Sequence, residues 1–409
     1  MSHLNKYGNI KRILLGGEES WRKLEEHKLS NIRVNYTDSN KVIDKDDHAF
    51  INMCSCSYLG LDRHPAILEG SINAIQREKT LLLPTSRVRI GLRLIDEAES
   101  ILSELFECKA RISLSCAAAS SGMLPLIASG MLTCQEKPIM VFDKFAHFSM
   151  NHIKSSCGDE TEVLTCNNND VSFLEDICKK FPNKKIVYVA DGAYSMGGYA
   201  PVEDLEALQH KYGLYLYFDD SHSISVYGKK GVGYVKSKLK HFAERTFIVT
   251  SLGKGFGVMG GLVLTSKDNT YEKFINVFGP QGWSQTLSVP GLGGVIASSK
   301  IHLSSELNSL QKKLQDNMKY FDQLCPTVNK DNGLPIRIVE LHKPDKAIEI
   351  SSGIFRLGYY TSAVFFPIVA KDRAGLRIMI RADLEKEDIL HFNTTLSKVL
   401  KQYEQQIIS

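Results

Sequence analysis

Short apolar runs separated by amphipathic stretches constrain this chain more than any other feature. They fall at residues 112–114, 139–142, 163–164, 186–189, 214–218, 247–250 and 262–264. Runs this short, with helical patterns between them, predict strands joined by crossover helices. The expected fold is therefore α/β, with a large, mostly parallel sheet sandwiched by helices over residues 51–295. Ligands of such sheets bind beyond the carboxyl ends of the strands. At 409 residues and 43% apolar composition the chain is long enough for a second core. From residue 296 a long helical pattern through Leu310 and Leu314 leads to alternating runs at 334–339 and 376–380, then to an amphipathic helix over 385–406. Residues 296–409 thus read as a smaller C-terminal α/β domain, and residues 1–50 as an N-terminal arm, irregular after one helix. The segment 280–290, rich in glycine and polar residues, reads as a hinge or a dimer-contact loop.

The net charge of +4 is small for this length and no Lys/Arg stripe is present, so nucleic acid is not an expected partner. The nine cysteines include no Cys-x-x-Cys pair, which argues against a zinc site or a disulfide framework. Cys54 and Cys56 alternate along a run read as a strand. The first residues carry no apolar signal-like core, and no run approaches the roughly 18 apolar residues of a membrane span. A cytoplasmic protein without a membrane span is expected.

Chemistry concentrates at the ends of the predicted strands. In Ser251-Leu252-Gly253-Lys254-Gly255-Phe256-Gly257 a lysine sits among small residues, where glycines let a flat ring approach the ε-amine and Ser251 offers a hydroxyl to an anion. A Schiff-base lysine for pyridoxal phosphate has these needs; a plain Gly-Lys-Gly turn accounts for the same residues. Upstream, the run 214–218 ends in Asp219-Asp220-Ser221-His222. Carboxylates at the end of a buried strand require a cation or strong donors. A protonated pyridine nitrogen is such a cation, and a solvated acidic turn is the alternative. Ser115-Cys116-Ala117-Ala118-Ala119-Ser120-Ser121-Gly122 provides small residues and hydroxyls at a helix start, suited to a phosphate. The alternative there is an Ala/Ser helix start packed in the core.

These segments, together with Ser57-Tyr58-Leu59-Gly60-Leu61 and Asp191-Gly192-Ala193-Tyr194-Ser195-Met196, resemble the α-oxoamine synthases over nearly the whole chain. These are pyridoxal phosphate-dependent acyltransferases of fold type I. They include 8-amino-7-oxononanoate synthase, 2-amino-3-ketobutyrate CoA ligase, 5-aminolevulinate synthase, serine palmitoyltransferase and the quorum-sensing autoinducer synthases. Gly228, Gly231 and Gly233 follow the family spacing, with Ser225 where a glycine is usual.

The resemblance implies a role for each site residue. Lys254 carries the cofactor and serves as base, and Asp219 keeps the ring nitrogen protonated. His222 contacts the phenolic oxygen, with Ser195 as a polar neighbour of that edge, and His147 stacks on the ring. Ala117 and Ala118 bind the phosphate through main-chain amides, with Ser115 and Ser251 nearby and Ser284 reaching in from the neighbouring subunit of a homodimer. Arg377 holds the substrate carboxylate, with Arg381 as a nearby competitor. Three bland readings stay open: a packed core histidine at 147, a simple turn at Ser195 and an exposed salt bridge at Arg377.

The implied reaction condenses an amino acid with an acyl thioester, delivered by CoA or an acyl carrier protein, and loses carbon dioxide to give an α-amino ketone. An aminotransferase, or an autoinducer-synthase-like enzyme acting on an unusual amine, would use the same Lys254 and Asp219. A non-catalytic partner subunit would lack the lysine. Three departures point to a remodelled pocket: Cys56 where relatives carry asparagine, Ile95 near a usual histidine position, and Ala118 where a bulky residue is common.

Overall fold

The computed structural model describes residues 10–37, 39–325 and 327–408. It begins with the helix Ile10–Glu26 and an antiparallel meander of β1 (Val34–Tyr36), β2 (Lys41–Asp44) and β3 (Ala49–Asn52). This stretch was expected to be irregular. Its strands are very short and β1 is exposed at every position, so no apolar alternation marks them in the sequence. β3 stops at Asn52, whose side-chain oxygen accepts the Cys54 N–H at 2.9 Å and turns the chain. Cys54 and Cys56 therefore lie in a turn and the coil after it, not along a strand.

Each of the expected apolar runs in the larger sheet is a strand: β4 (Lys109–Ser113), β5 (Ile139–Asp143), β6 (Val163–Cys166), β7 (Ile186–Asp191), β8 (Tyr215–Asp219), β9 (Thr246–Ser251) and β10 (Gly261–Thr265). Their order across the sheet is β4-β10-β9-β8-β7-β5-β6. β6, β5, β7, β8 and β9 pair in parallel, whereas β10 runs antiparallel to both of its neighbours. The reversal has a simple cause. A parallel crossover needs a dozen or more residues, and only 252–260 separate β9 from β10.

Every position of β5, β7 and β8 is buried, as expected for parallel strands covered on both faces. On one face the helix Cys116–Ala128 packs Ala119, Met123 and Ile127 into a core with Phe142, Val187, Tyr217 and Val249. Burial of each large apolar side chain there contributes about 1.5–3 kcal/mol. The Tyr217 hydroxyl, buried in that core, donates to Ser120 Oγ at 3.1 Å.

Further along the chain come β11 (Ile336–His342), β12 (Tyr359–Tyr360), β13 (Ser362–Val364) and β14 (Ala374–Met379). β11, β14 and β13 form an antiparallel sheet, and β12 pairs in parallel with β3. The closing helix spans Lys386–Ile408. Contacts divide the described chain into two units, one of Leu59–Gln311 and one joining the residues up to Tyr58 with those from Lys312 onward. In the second unit Lys23 pairs with Asp345 at 2.8 Å, setting the helix Ile10–Glu26 against the helix Pro344–Arg356.

Candidate active site

The carboxyl ends of β7, β8 and β9 bring Asp191, Asp219 and Ser251 to one side of the large sheet, with Asp191 directly opposite Asp219 in the ladder. Beyond β9 the chain turns through Lys254, whose carbonyl accepts the Gly257 N–H at 3.0 Å. Gly257 has φ 80°, and a Cβ there would sit 2.5 Å from the Leu61 carbonyl carbon, so only glycine lets this loop close on the Leu59-Gly60-Leu61 segment. The Lys254 Nζ lies 3.1 Å from Nε2 of the buried His222.

Asp219 is held by donors of this chain. Its Oδ1 accepts the Ser221 N–H at 3.0 Å and the Ser221 hydroxyl, and its Oδ2 accepts the Cys116 thiol at 3.3 Å. The Ser221 Oγ in turn accepts the Ser251 N–H at 2.8 Å, which ties the end of β9 to the end of β8. The second carboxylate of the motif, Asp220, does different work. Its Oδ2 caps the helix Tyr234–Lys238 by accepting the Val235 N–H at 3.0 Å, and burial pushes its pKa up to about 7. Asp191 is driven well above the usual carboxylate range, first by burial and then by the charge of Asp219, and its Oδ1 accepts the His147 N–H at 2.9 Å.

Ser115 caps the helix Cys116–Ala128, its Oγ accepting the Ala118 N–H at 3.0 Å. Of the two amides expected to hold an anion, Ala118's is thus engaged by the cap. The amides of Ala117 and Cys116 have no acceptor within the helix. β10 presses on this turn, and a Cβ on Gly261 would lie 2.3 Å from the Ser115 carbonyl carbon.

His147 opens the short helix Phe148–Asn151, with Nδ1 2.9 Å from Ser149 Oγ. Ser195 lies in a turn closed by the Gly197 N–H on the Tyr194 carbonyl at 2.9 Å. Ser284 follows the short helix Gly279–Trp283, and its hydroxyl donates to the Pro280 carbonyl at 2.7 Å. Hydrogen bonds and ladder pairing link Ser251, Asp219, Asp191 and His147 into one cluster, with the Lys254–His222 contact following on β9 and β8. None of the bonds of this cluster described above reaches Ser195 or Ser284. Cys116 and Ser221 belong to the cluster although the sequence reading gave them no role. Ser221 stands inside the Asp-Asp-Ser-His motif and Cys116 inside the helix-start motif, which is the signal that pointed toward them.

Arg377 belongs to the other unit, on β14 opposite Ile338 and Ser362. Its Nε is buried without a hydrogen-bond partner, and its guanidinium lies beside the Cys54 thiol, whose pKa rises through burial against the pull of that positive charge. Arg381 is committed elsewhere, paired with Asp383 at 2.7 Å and donating to the Asn52 carbonyl. Among the described residues no group of three or more His, Cys, Asp or Glu is arranged to hold a metal ion, and no helix is long and apolar enough to cross a membrane.

The profile of the family described as aminotransferase class I and II matches residues 49–396. Among curated proteins, an 8-amino-7-oxononanoate synthase of Alkaliphilus metalliredigens is 28% identical over 349 residues, covering 83% of this chain and 85% of that protein. An erythroid-specific, mitochondrial 5-aminolevulinate synthase of Delphinapterus leucas is 27% identical, covering 80% of this chain and 56% of that one. Among solved structures, a serine palmitoyltransferase from S. paucimobilis with a bound PLP–myriocin aldimine superposes with a TM-score of 0.82 at 16% identity, covering 95% of this chain and 98% of that one. That likeness establishes the shared fold.

Proposed function

The chain belongs to the aminotransferase class I and II family, and from that premise we propose that it is a pyridoxal phosphate-dependent α-oxoamine synthase. It condenses an amino acid with an acyl thioester, from CoA or an acyl carrier protein, and releases carbon dioxide to leave an α-amino ketone. The observation that carries this reading is the Lys254 amine on His222 at 3.1 Å, beside a carboxylate, Asp219, that is held in place at the end of a buried strand.

The donor set fits the cofactor. One amine, one carboxylate and the start of a 13-residue helix follow the carboxyl ends of β9, β8 and β4 of the same sheet, with only the reversed strand β10 between β9 and β4. When bound, pyridoxal phosphate supplies the aldehyde for a lysine and the ring that accepts the charge of a carbanion. Lys254 would tether it and move the α-proton. Asp219 would hold the ring nitrogen and favour its protonated form. His222 would orient the amine and, with Ser195, hold the phenolic edge, while His147 would pack against the ring. The amides at Ala117 and at Ala118, the latter already engaged by the Ser115 cap, and the hydroxyls of Ser115 and Ser251 would hold the phosphate, with Ser284 contributed by a second copy of the chain. Arg377 holds the amino acid's carboxylate, a role supported by its unpartnered Nε and by the engagement of Arg381 with Asp383.

We place the chain in the cytoplasm, in keeping with its nine unpaired cysteines. We assign it a homodimer, in keeping with exposed apolar side chains at Leu81, Leu82, Ile90 and Trp283.

Incubation with panels of amino acids and acyl-CoAs tests the activity. Free thiol released together with carbon dioxide is the expected outcome, and pyridoxamine phosphate formed without thiol release would make the chain an aminotransferase. Lys254→Ala is expected to abolish turnover and the visible absorbance of the reconstituted protein, and retention of that absorbance would refute its assignment.

A further inference from the structure

Two side chains outside every role assigned so far hold Asp219. The Ser221 hydroxyl carries one proton. Its two acceptor contacts are Asp219 Oδ1, which is close, and Cys116 Sγ, at 3.6 Å, so the proton goes to the carboxylate. The Cys116 thiol donates to Oδ2 at 3.3 Å. Cys116 is buried, and that burial drives its pKa well up, which keeps the proton on sulfur where the donor role needs it. The other charged or titratable groups around Asp219 include Asp191 on β7, Tyr217 and Asp220 on and just after β8, and Lys254 on the loop after β9; the buried Asp220 is itself pushed up to about 7. Asp191 is pushed towards its neutral form and so adds little competing negative charge.

A carboxylate that accepts two or three hydrogen bonds is a weaker base than a bare one. Where it faces a pyridinium N–H, the proton either stays on nitrogen, leaving an ion pair, or crosses to oxygen, leaving a neutral pair. Donors on the carboxylate favour the ion pair. We propose that Cys116 and Ser221 are positioning residues that weaken Asp219 as a base and so keep the shared proton on the ring nitrogen of the cofactor. The inference rests on the reading that Asp219 faces that nitrogen. The helix start that presents its amides to the phosphate thereby also supplies, through Cys116, a donor to the opposite end of the site.

Two measurements test it. In the cofactor-free protein, the S–H stretching band of Cys116 is isolated as the infrared difference between wild type and Cys116→Ala. Asp219→Asn, which removes the charge that the thiol meets, is expected to move this band to higher frequency, and an unmoved band overturns the proposal without any reference to the cofactor. In protein reconstituted with cofactor isotopically labelled at the ring nitrogen, the nitrogen resonance of Cys116→Ala/Ser221→Ala is expected to shift towards the unprotonated position. The α-proton exchange of a bound amino acid should fall by roughly tenfold or more, the scale of a lost hydrogen bond to a charged group. Cys116→Ser, which retains a donor, should keep the wild-type resonance. A double variant with the wild-type resonance overturns the proposal and leaves the functional reading standing. Wild-type protein that takes up no labelled cofactor defeats both. If the double variant fails to fold by circular dichroism, the infrared shift and the Cys116→Ser resonance still decide.

Discussion

His302 is almost wholly enclosed and both of its ring nitrogens are used. Nδ1 lies 2.8 Å from the Ser298 carbonyl and must donate, so Nε2 accepts the Ser225 hydroxyl, also at 2.8 Å. The ring stacks on Phe256, two residues from Lys254, with centroids 4.5 Å apart. Ser225 has φ 71°, a conformation that suits the glycine usual at this position, and its hydrogen bond to His302 offsets the strain of the side chain. Burial pushes the His302 pKa down to about 4, against 6.5 for an unperturbed histidine. Between those values the unfolded chain binds more protons than the folded one. His302 therefore costs no stability above about pH 6.5 and progressively more as pH falls towards 4. Urea denaturation at pH 7 and pH 5 checks this. His302→Gln is expected to lose less stability than wild type over that interval, by about 2 kcal/mol, and equal losses would show that the ring is not held neutral.

At the scale of elements, the meeting of β10 with the helix start at Ser115 is the most sensitive contact. A Cβ on Gly261 would lie 2.3 Å from the Ser115 carbonyl carbon and 2.4 Å from the Cys116 nitrogen, both backbone atoms, so neither neighbour can swing aside. Gly261→Ala is expected to cost about 1–3 kcal/mol in urea unfolding and to weaken cofactor binding more than an alanine elsewhere on β10. An unchanged midpoint and affinity would mean that the turn yields. Much of this layout was legible beforehand, because the strands that carry the site are continuous apolar runs and their ends carry Asp219, Lys254 and Ser115. What stayed hidden has physical reasons. β1 to β3 are too short, and β1 too exposed, to leave a periodic trace. The thiol of Cys116 meets a carboxylate 103 residues away in sequence, a pairing no local pattern encodes. The use of the Ala118 amide by Ser115 depends on a cap geometry that residue types alone do not specify.

At the scale of the whole molecule, the segment around Leu81–Ile90 and the loop after the helix Gly279–Trp283 form one surface. Ser86 donates to the Gly282 carbonyl, and the Val289 N–H donates to the Leu81 carbonyl at 2.8 Å. Leu81, Ile90 and Trp283 are 61%, 65% and 71% exposed there, which a monomer in water would leave unfavourably wetted. If this surface carries the proposed homodimer, Leu82→Glu combined with Ile90→Glu is expected to reduce the sedimentation mass from two chains to one, and to lower activity with it if Ser284 serves the neighbouring copy. A wild-type mass of one chain would refute the dimer, and a variant mass that stays at two chains would place its interface elsewhere. The reversed strand carries one more consequence. Ser113, Gly261 and Ser251 stand in one hydrogen-bonded row across β4, β10 and β9, so two ladder steps of about 4.8 Å each separate the strand leading to the anion cradle from the strand leading to the lysine. Main-chain pairing thus fixes the spacing of the two segments proposed to hold the cofactor. Changing the length of 252–260 would alter the reach of the amine and leave that span untouched.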